Sequence, residues 1–353
     1  MNLKKKSFLG LFLFRWSKIK VKTFIKLITV IVIFLFSLII LTCWEIYIPK
    51  KPWSRETIIY IVQKGQSDED IAKDLEKQGI INSDYFFRAY AVFSFQHSKL
   101  QAGRYVLGPG MSVYEIVKKL VNGDVIKEKI TIIEGWDIKD AAEYFEGKNI
   151  CGKDDFIILV SQDYSKEFGF LTEKPKNVNL EGYLFPDTYE ISQGESCEDI
   201  LKNIIANFEK KITLELKEAI ASRKKSIFEI MTMASIIEKE VKTMNDKEIV
   251  SGLLWKRLEA GMPLQVDATI NYITGKNQKS ALLADTKIDS LYNTYKYKGL
   301  PLGPISNPGM DSILAAIYPK ASPYWYYLSG VDGKTIFSQT LKEHNIARVK
   351  YLK

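Results

Sequence analysis

The sequence predicts an α+β protein hung on a single membrane-spanning helix, with small strand–turn–helix units followed by a mainly helical domain that carries short strands. Three observations support this. An unbroken apolar stretch lies near the N-terminus, and a strand–glycine–helix pattern recurs beyond it. After a polar, proline-containing break (Thr172, Pro175, Lys176, Asn177), helical periodicity dominates.

Leu27 to Trp44 (LITVIVIFLFSLIILTCW) is apolar except at Thr29, Ser37, Thr42 and Cys43. As a helix it spans roughly 30 Å of hydrocarbon, and with Tyr47 and Ile48 at the interface it defines a transmembrane segment over 27–48. Lys4, Lys5, Lys6, Arg15, Lys18, Lys20, Lys22 and Lys26 precede it with no acidic residue among them. This bias predicts a cytoplasmic arm over 1–26 and an extracytoplasmic remainder. A cleaved secretory signal is the alternative, but the basic region is long and no small-residue cleavage site follows the apolar run. Setting those eight bases aside leaves 42 basic residues against 42 acidic ones, from totals of 50 and 42. The exported part therefore has no basic bias, and the sequence argues against nucleic-acid binding. Cys151 and Cys197 allow one disulfide without demanding it. His97 and His344 are far apart in sequence, so no metal site and no cofactor are expected.

Over 58–62 (IIYIV) the β-branched and aromatic residues predict a strand, Lys64-Gly65-Gln66-Ser67 a turn, and Ile71, Ala72 and Leu75 the apolar face of a helix ending near Gly79. The pattern returns at TIIEGWDIKDAAEYFEGKNI, where Gly135 aligns with Gly65 and Ala141-Ala142 with Ile71-Ala72. A partial copy starts at Gly110, and a strand over 102–107 completes the first unit. These units resemble LysM-type modules, whose family binds glycans rich in N-acetylglucosamine; a plain spacer with the same layout is the competing reading. The expected domains are a LysM-like module over 49–125, a second repeat with its connection over 126–170, and a catalytic domain over 171–353.

In that last domain, helices are expected at 196–211, 213–222, 227–243, 246–260 and 309–318, with strands near 324–329 and 334–337. Ser226 and Glu229 form a capping box, so a helix should start at Ile227. At about 100° per residue, Ile230, Met233, Ala234, Ile236, Ile237 and Val241 share a face. Glu240 falls on its rim, while Glu238 points toward solvent. A carboxyl set among Ile and Met side chains should have a raised pKa and could hold a proton near neutrality, as protonation of a glycosidic oxygen requires. The residues alone leave a second reading open, a buried ion pair between Glu240 and a base such as Arg257.

Several separated motifs resemble the YceG-like endolytic transglycosylase family. They are Glu181-Gly182-Tyr183-Leu184-Phe185-Pro186-Asp187, Met233 to Glu240 (MASIIEKE), Leu264-Gln265-Val266-Asp267, Tyr292-Asn293-Thr294-Tyr295 and Gly299 to Gly309. The resemblance implies a lysozyme-like catalytic domain acting on peptidoglycan at the outer face of the membrane, in partnership with peptidoglycan synthases. It implies that Glu240 is the catalytic residue, with Glu238 as a candidate auxiliary. Glu181, Tyr183, Gln265, Asp267, Tyr292, Asn293, Thr294 and Tyr295 are candidates to bind substrate. Many relatives carry Thr or Ser after the catalytic glutamate, whereas this chain has Val241, which removes a hydroxyl that could orient the carboxyl.

Overall fold

The computed structural model describes residues 5–192, 194–276, 278, 281–330 and 333–351. Lys4 of the expected cytoplasmic arm and residues 352–353 of the expected catalytic domain lie outside them. The fold mixes helices and short strands in two units: the first runs to Glu128 and includes Ser192–Gly194, and the second comprises Lys129–Ile191 and everything from Glu195 on.

Unit 1 begins with helix α1 (Lys5–Tyr47), which continues from the basic arm into the apolar span without a break. Its segment Thr23–Tyr47 has the length and composition to cross a bilayer. Then come β1 (Ile58–Val62), α2 (Asp68–Lys77), α3 (Asp84–Phe93), β2 (Gly103–Leu107) and α4 (Val113–Asn122). β1 and β2 pair antiparallel, with Tyr60 opposite Tyr105 and Val62 opposite Gly103. Alternation sends Tyr60, Val62, Tyr105 and Leu107 inward onto Ile71, Leu75, Phe87, Ile116 and Leu120. Helix α3 was not expected: apart from Asp84 and Arg88 its sequence DYFFRAYAVF is apolar, so few charges mark off the face of Phe87 and Ala91 that is buried.

The expected repeat is present and extends further than its sequence signal. Gly65 and Gly135 adopt the same left-handed conformation (φ 82° and 79°), which a Cβ would strain. Each leads into a capped helix, α2 behind Ser67 and α5 (Ile138–Gly147) behind Asp137. The second copy starts at β3 (Lys127–Thr131), adds α6 (Lys153–Val160), and closes only at β4 (Thr188–Ser192), which pairs with β3. The two units divide near residue 128, and β4, the strand that completes this copy, lies past the polar connection at 172–177. The third copy is partial. α4 opens on a capping box of Ser112 and Glu115, but Gly110 is not left-handed; a Cβ there would sit 2.3 Å from the Ser54 carbonyl oxygen.

Unit 2 continues with α7 (Cys197–Lys211), α8 (Leu214–Ser222), α9 (Ile227–Glu240), α10 (Met244–Glu259), α11 (Asp267–Thr274), α12 (Met310–Ile317), β5 (Tyr326–Ser329), β6 (Thr335–Ser338) and α13 (Leu341–Tyr351). Cys151 and Cys197 form a disulfide joining the start of α6 to the start of α7. α9 is the central element, packed against α8, α10, α11 and α12. Every residue from Ile230 to Ile237 is buried, including Thr232 and Ser235. The buried hydroxyls are satisfied: Thr232 donates to the Phe228 carbonyl, and Ser235 donates to Thr232 and accepts from the Ile305 amide. The sequence's one-sided apolar face is thus part of a helix buried on all sides.

Candidate active site

α9 starts where its capping box predicts, with Ser226 accepting from the Glu229 amide and Glu229 from the Ser226 amide. It ends earlier than the expected 243. Val241 is extended, and Thr243 already caps α10 by accepting from the Asp246 amide. Glu240 is consequently the last residue of the helix, where unpaired carbonyls disfavour an added negative charge.

Three elements converge on its carboxyl group. From β5, the Tyr327 hydroxyl donates to Glu240 Oε2 at 2.9 Å. From the start of α11, the Ala268 amide lies near enough to favour the charged carboxylate, and Asp267 places a second negative charge beside it. Burial dominates and, with Asp267, pushes the Glu240 pKa up to about 7 against the opposing pull of the Tyr327 and Ala268 donors. Tyr295 donates to Asp267 Oδ1 at 2.5 Å. Arg257 is not the counter-ion of Glu240: its guanidinium donates to the Trp325 and Leu264 carbonyls at 2.9 and 2.7 Å, fixing β5 and the chain before α11. Among the described residues Glu240 makes no ion pair.

Glu238 departs from expectation. It is not solvent-facing but forms a nearly buried ion pair with Lys247 at 3.3 Å. It also accepts from the Gly309 amide and the Ser312 hydroxyl at the start of α12. Its oxygen is committed to tying α9 to α10 and α12. Successive helix residues diverge by about 100°, so two glutamates two positions apart serve different neighbours.

The substrate-binding candidates fall into three groups. Asp267 and Tyr295 stand at Glu240, and Gln265 lies just before them, exposed and in a left-handed conformation (φ 54°) that is uncommon for a residue with a side chain. Its amide donates to the Thr294 carbonyl. Tyr292 is half-buried, with its ring 5.0 Å from that of Tyr272. Asn293 and Thr294 are struts rather than free groups. Asn293 donates to the Thr286 and Ile288 carbonyls and accepts from the Tyr295 amide, while the Thr294 hydroxyl accepts from the Val266 amide. Together they pin the 292–295 loop against the start of α11.

Tyr183 is fully buried between Phe170 and Phe208, which withdraws it from any contact with a sugar ring. Glu181 is also buried, accepting from the Ile138 amide, the Tyr272 hydroxyl and the Asn307 side-chain amide. Burial raises its pKa to about 8. It braces α5, α11 and the 299–309 loop together.

The residue that sequence reading under-weighted is Tyr327. A strand was expected near 324–329, but nothing local links Tyr327 to a glutamate 87 positions away. The absent hydroxyl after Glu240 is matched by one arriving from β5.

The comparisons with known proteins agree with one another. The family model described as YceG-like matches residues 60–350. The chain is similar to the endolytic murein transglycosylase of Bacillus subtilis, 36% identical over 318 residues that make up 86% of this chain and 87% of that one. It is also similar to the endolytic murein transglycosylase of Streptococcus pneumoniae, 29% identical over 320 residues, 83% of this chain and 58% of that longer one. A crystal structure of a yceG-like protein from Listeria monocytogenes superposes with a TM-score of 0.56 at 34% identity, covering 83% of this chain and 99% of that one.

Proposed function

The chain belongs to the YceG-like family, and from that premise we propose that it is a membrane-anchored endolytic transglycosylase that cleaves peptidoglycan glycan strands with Glu240 as acid and then base. The residue assignment is supported by the Glu240 carboxyl at the end of α9, which accepts from the Tyr327 phenol and whose pKa burial pushes up to about 7.

With a pKa near 7, Glu240 holds a proton for the bridging oxygen between N-acetylmuramic acid and N-acetylglucosamine, neutralising the leaving alkoxide as the C–O bond breaks. The resulting carboxylate takes the proton from the C6 hydroxyl of the same muramic acid as that oxygen attacks C1, leaving a 1,6-anhydro end. The nucleophile is part of the substrate, so high effective molarity replaces a positioned water. Tyr327 orients the carboxyl and stabilises its anionic form between the two steps. Gln265, Asp267, Tyr292 and Tyr295 are the groups best placed to line a glycan groove.

The proximity of Asp267 favours one second reading, hydrolysis of the same bond with Asp267 supporting the oxocarbenium ion or a water. Digestion of uncrosslinked glycan strands by the wild type and Glu240→Gln, followed by mass spectrometry of strand ends, separates the two. Anhydro ends support the transglycosylase, and ordinary reducing ends support the hydrolase. Full activity in Glu240→Gln would refute the residue assignment.

The finer organisation belongs to the same reading. The β1–α2–α3–β2 unit suits a LysM-like glycan-binding module, and the helices around α9 a lysozyme-like catalytic domain. The basic residues before the apolar span favour a cytoplasmic N-terminus with both units outside. The synthases that extrude new strands are the natural partners.

A further inference from the structure

Among the described helices of unit 1, α3 lacks a charged outer face. α2 carries Glu69, Lys73, Glu76 and Lys77, and α4 carries Glu115, Lys118 and Lys119. α3 has two charged residues, Asp84 and Arg88, which pair with each other at 2.8 Å. Taking Tyr90 as origin at about 100° per residue, Phe87 and Ala91 point into the core at about +60° and +100°, and Asp84 and Arg88 follow at about +120° and +160°. The remaining arc, from about −40° to −160°, holds Phe86, Phe93, Ala89, Tyr85 and Val92 and no charge. Tyr85, Val92 and Phe93 are 64%, 54% and 82% exposed. Phe95 follows in a left-handed conformation (φ 58°), also 82% exposed, so no packing within the fold offsets that strain. Exposed apolar surface of this extent needs an occupant.

The end of α1 indicates which. Tyr47 lies 6.5 Å from the ring of Tyr90 and 5.7 Å from that of Tyr114, and Ile46 is buried. Lys50 donates to the Ile81 carbonyl, and Asn82 donates to Glu45. α1 therefore runs into unit 1 with no free linker. Its apolar stretch, Leu27–Trp44, is bounded by Lys26 and Glu45 and is about 27 Å long as a helix, close to the roughly 30 Å of hydrocarbon in a bilayer, so Trp44 and Tyr47 fall at headgroup depth. Contact with Tyr47 sets Tyr90 at that depth, and Phe86 and Phe93 lie within about 6 Å of it along the axis of α3, turned less than a quarter-turn away.

We propose that the uncharged arc of α3, with Phe95 at its end, lies on the bilayer surface beside the exit of α1 and inserts Tyr85, Phe86, Phe93 and Phe95 among the lipid headgroups. This rests on α1 being a membrane anchor. It makes unit 1 a membrane-seated module rather than one swinging on a tether.

The test uses the full chain, with Cys43→Ser, reconstituted in vesicles of phosphatidylcholine and phosphatidylglycerol. An environment-sensitive nitrobenzoxadiazole label is placed at Phe93→Cys, at Lys77→Cys on the charged face of α2, or at Ile40→Cys within α1, and acyl-brominated lipids serve as quenchers. Retained glycan cleavage confirms that each labelled chain is folded. The expected result is a blue-shifted, lipid-quenched label at 93 and an aqueous, unquenched one at 77, independent of protein density. A label at 93 as aqueous as that at 77, while the one at 40 is quenched, would overturn the proposal and leave the anchor intact. Protection at 93 that lipids do not quench and that grows with protein density would assign the surface to a second copy, and also overturns it. An unquenched label at 40 would remove the anchor itself, and the proposal with it.

Discussion

At Glu240, two neighbours act in opposite directions on one proton. The Tyr327 hydroxyl favours the carboxylate, and the Asp267 charge favours the acid. Because the first step needs the protonated form, kcat/KM should fall as pH rises through about 7. Tyr327→Phe should move this alkaline limb upward while lowering kcat, and Asp267→Asn should move it downward; pH–rate profiles of the two variants check both signs. A purely structural role for either residue would lower activity without moving the limb. Glu240→Gln should lose about 10²- to 10⁴-fold in activity with its thermal midpoint largely kept, since the amide oxygen can still accept from Tyr327. Turnover and calorimetry on the same preparation read the two effects. The helix face made Glu240 a candidate, but the residues alone left an ion pair with Arg257 open, and only the family resemblance favoured a catalytic reading. The true place of Glu238 was not legible in the sequence, since Lys247 and Ser312 reach it from other helices.

At the scale of elements, the helices that could be read were those with a cap and a one-sided stripe, such as α4, α7 and α9. Those not expected were α3, apolar except at Asp84 and Arg88; α6, eight residues ending in an unbroken apolar run; α11, rich in β-branched residues; and α13, mostly exposed with no buried stripe. α11 matters most for chemistry, because its first residues deliver Asp267 and the Ala268 amide to Glu240. Glu181 braces α5, α11 and the 299–309 loop as a protonated acid. Its folded pKa of about 8 lies above the unfolded value of 4.5, so the folded state holds a proton that the unfolded chain has released. Its contribution to stability is fully present below about pH 4.5 and is lost as pH rises through about 8; Glu240 adds the same sign up to about 7. Glu181→Gln should flatten the fall of the melting temperature across this window. It should also cost about 1–3 kcal/mol at the acid end, where an amide cannot accept from all three donors. The Cys151–Cys197 bridge closes a separation of 46 residues, and its loss should destabilise unit 2 by about 4 kcal/mol, measurable by denaturant unfolding of Cys151→Ser/Cys197→Ser.

At the scale of the whole molecule, α1 supplies the membrane-anchoring segment and unit 2 holds the proposed acid, Glu240. Attachment through the apolar stretch of this 25-residue span should survive high salt and alkaline carbonate washing and should require detergent for release. Membrane fractionation of the full chain is the measurement; release by salt alone would reassign α1 to an electrostatic contact made by the basic arm. The sequence by itself marked the apolar span, the glycine turns at 65 and 135 and the capped start of α9, because each depends on residues close together in the chain. Only the tertiary structure decided that β4 completes the second repeat, that Tyr183 belongs to the core, that Glu238 is buried in an ion pair, and that Tyr327 holds Glu240. Those outcomes depend on side chains brought together from distant segments, and no local period or spacing encodes which of them will meet.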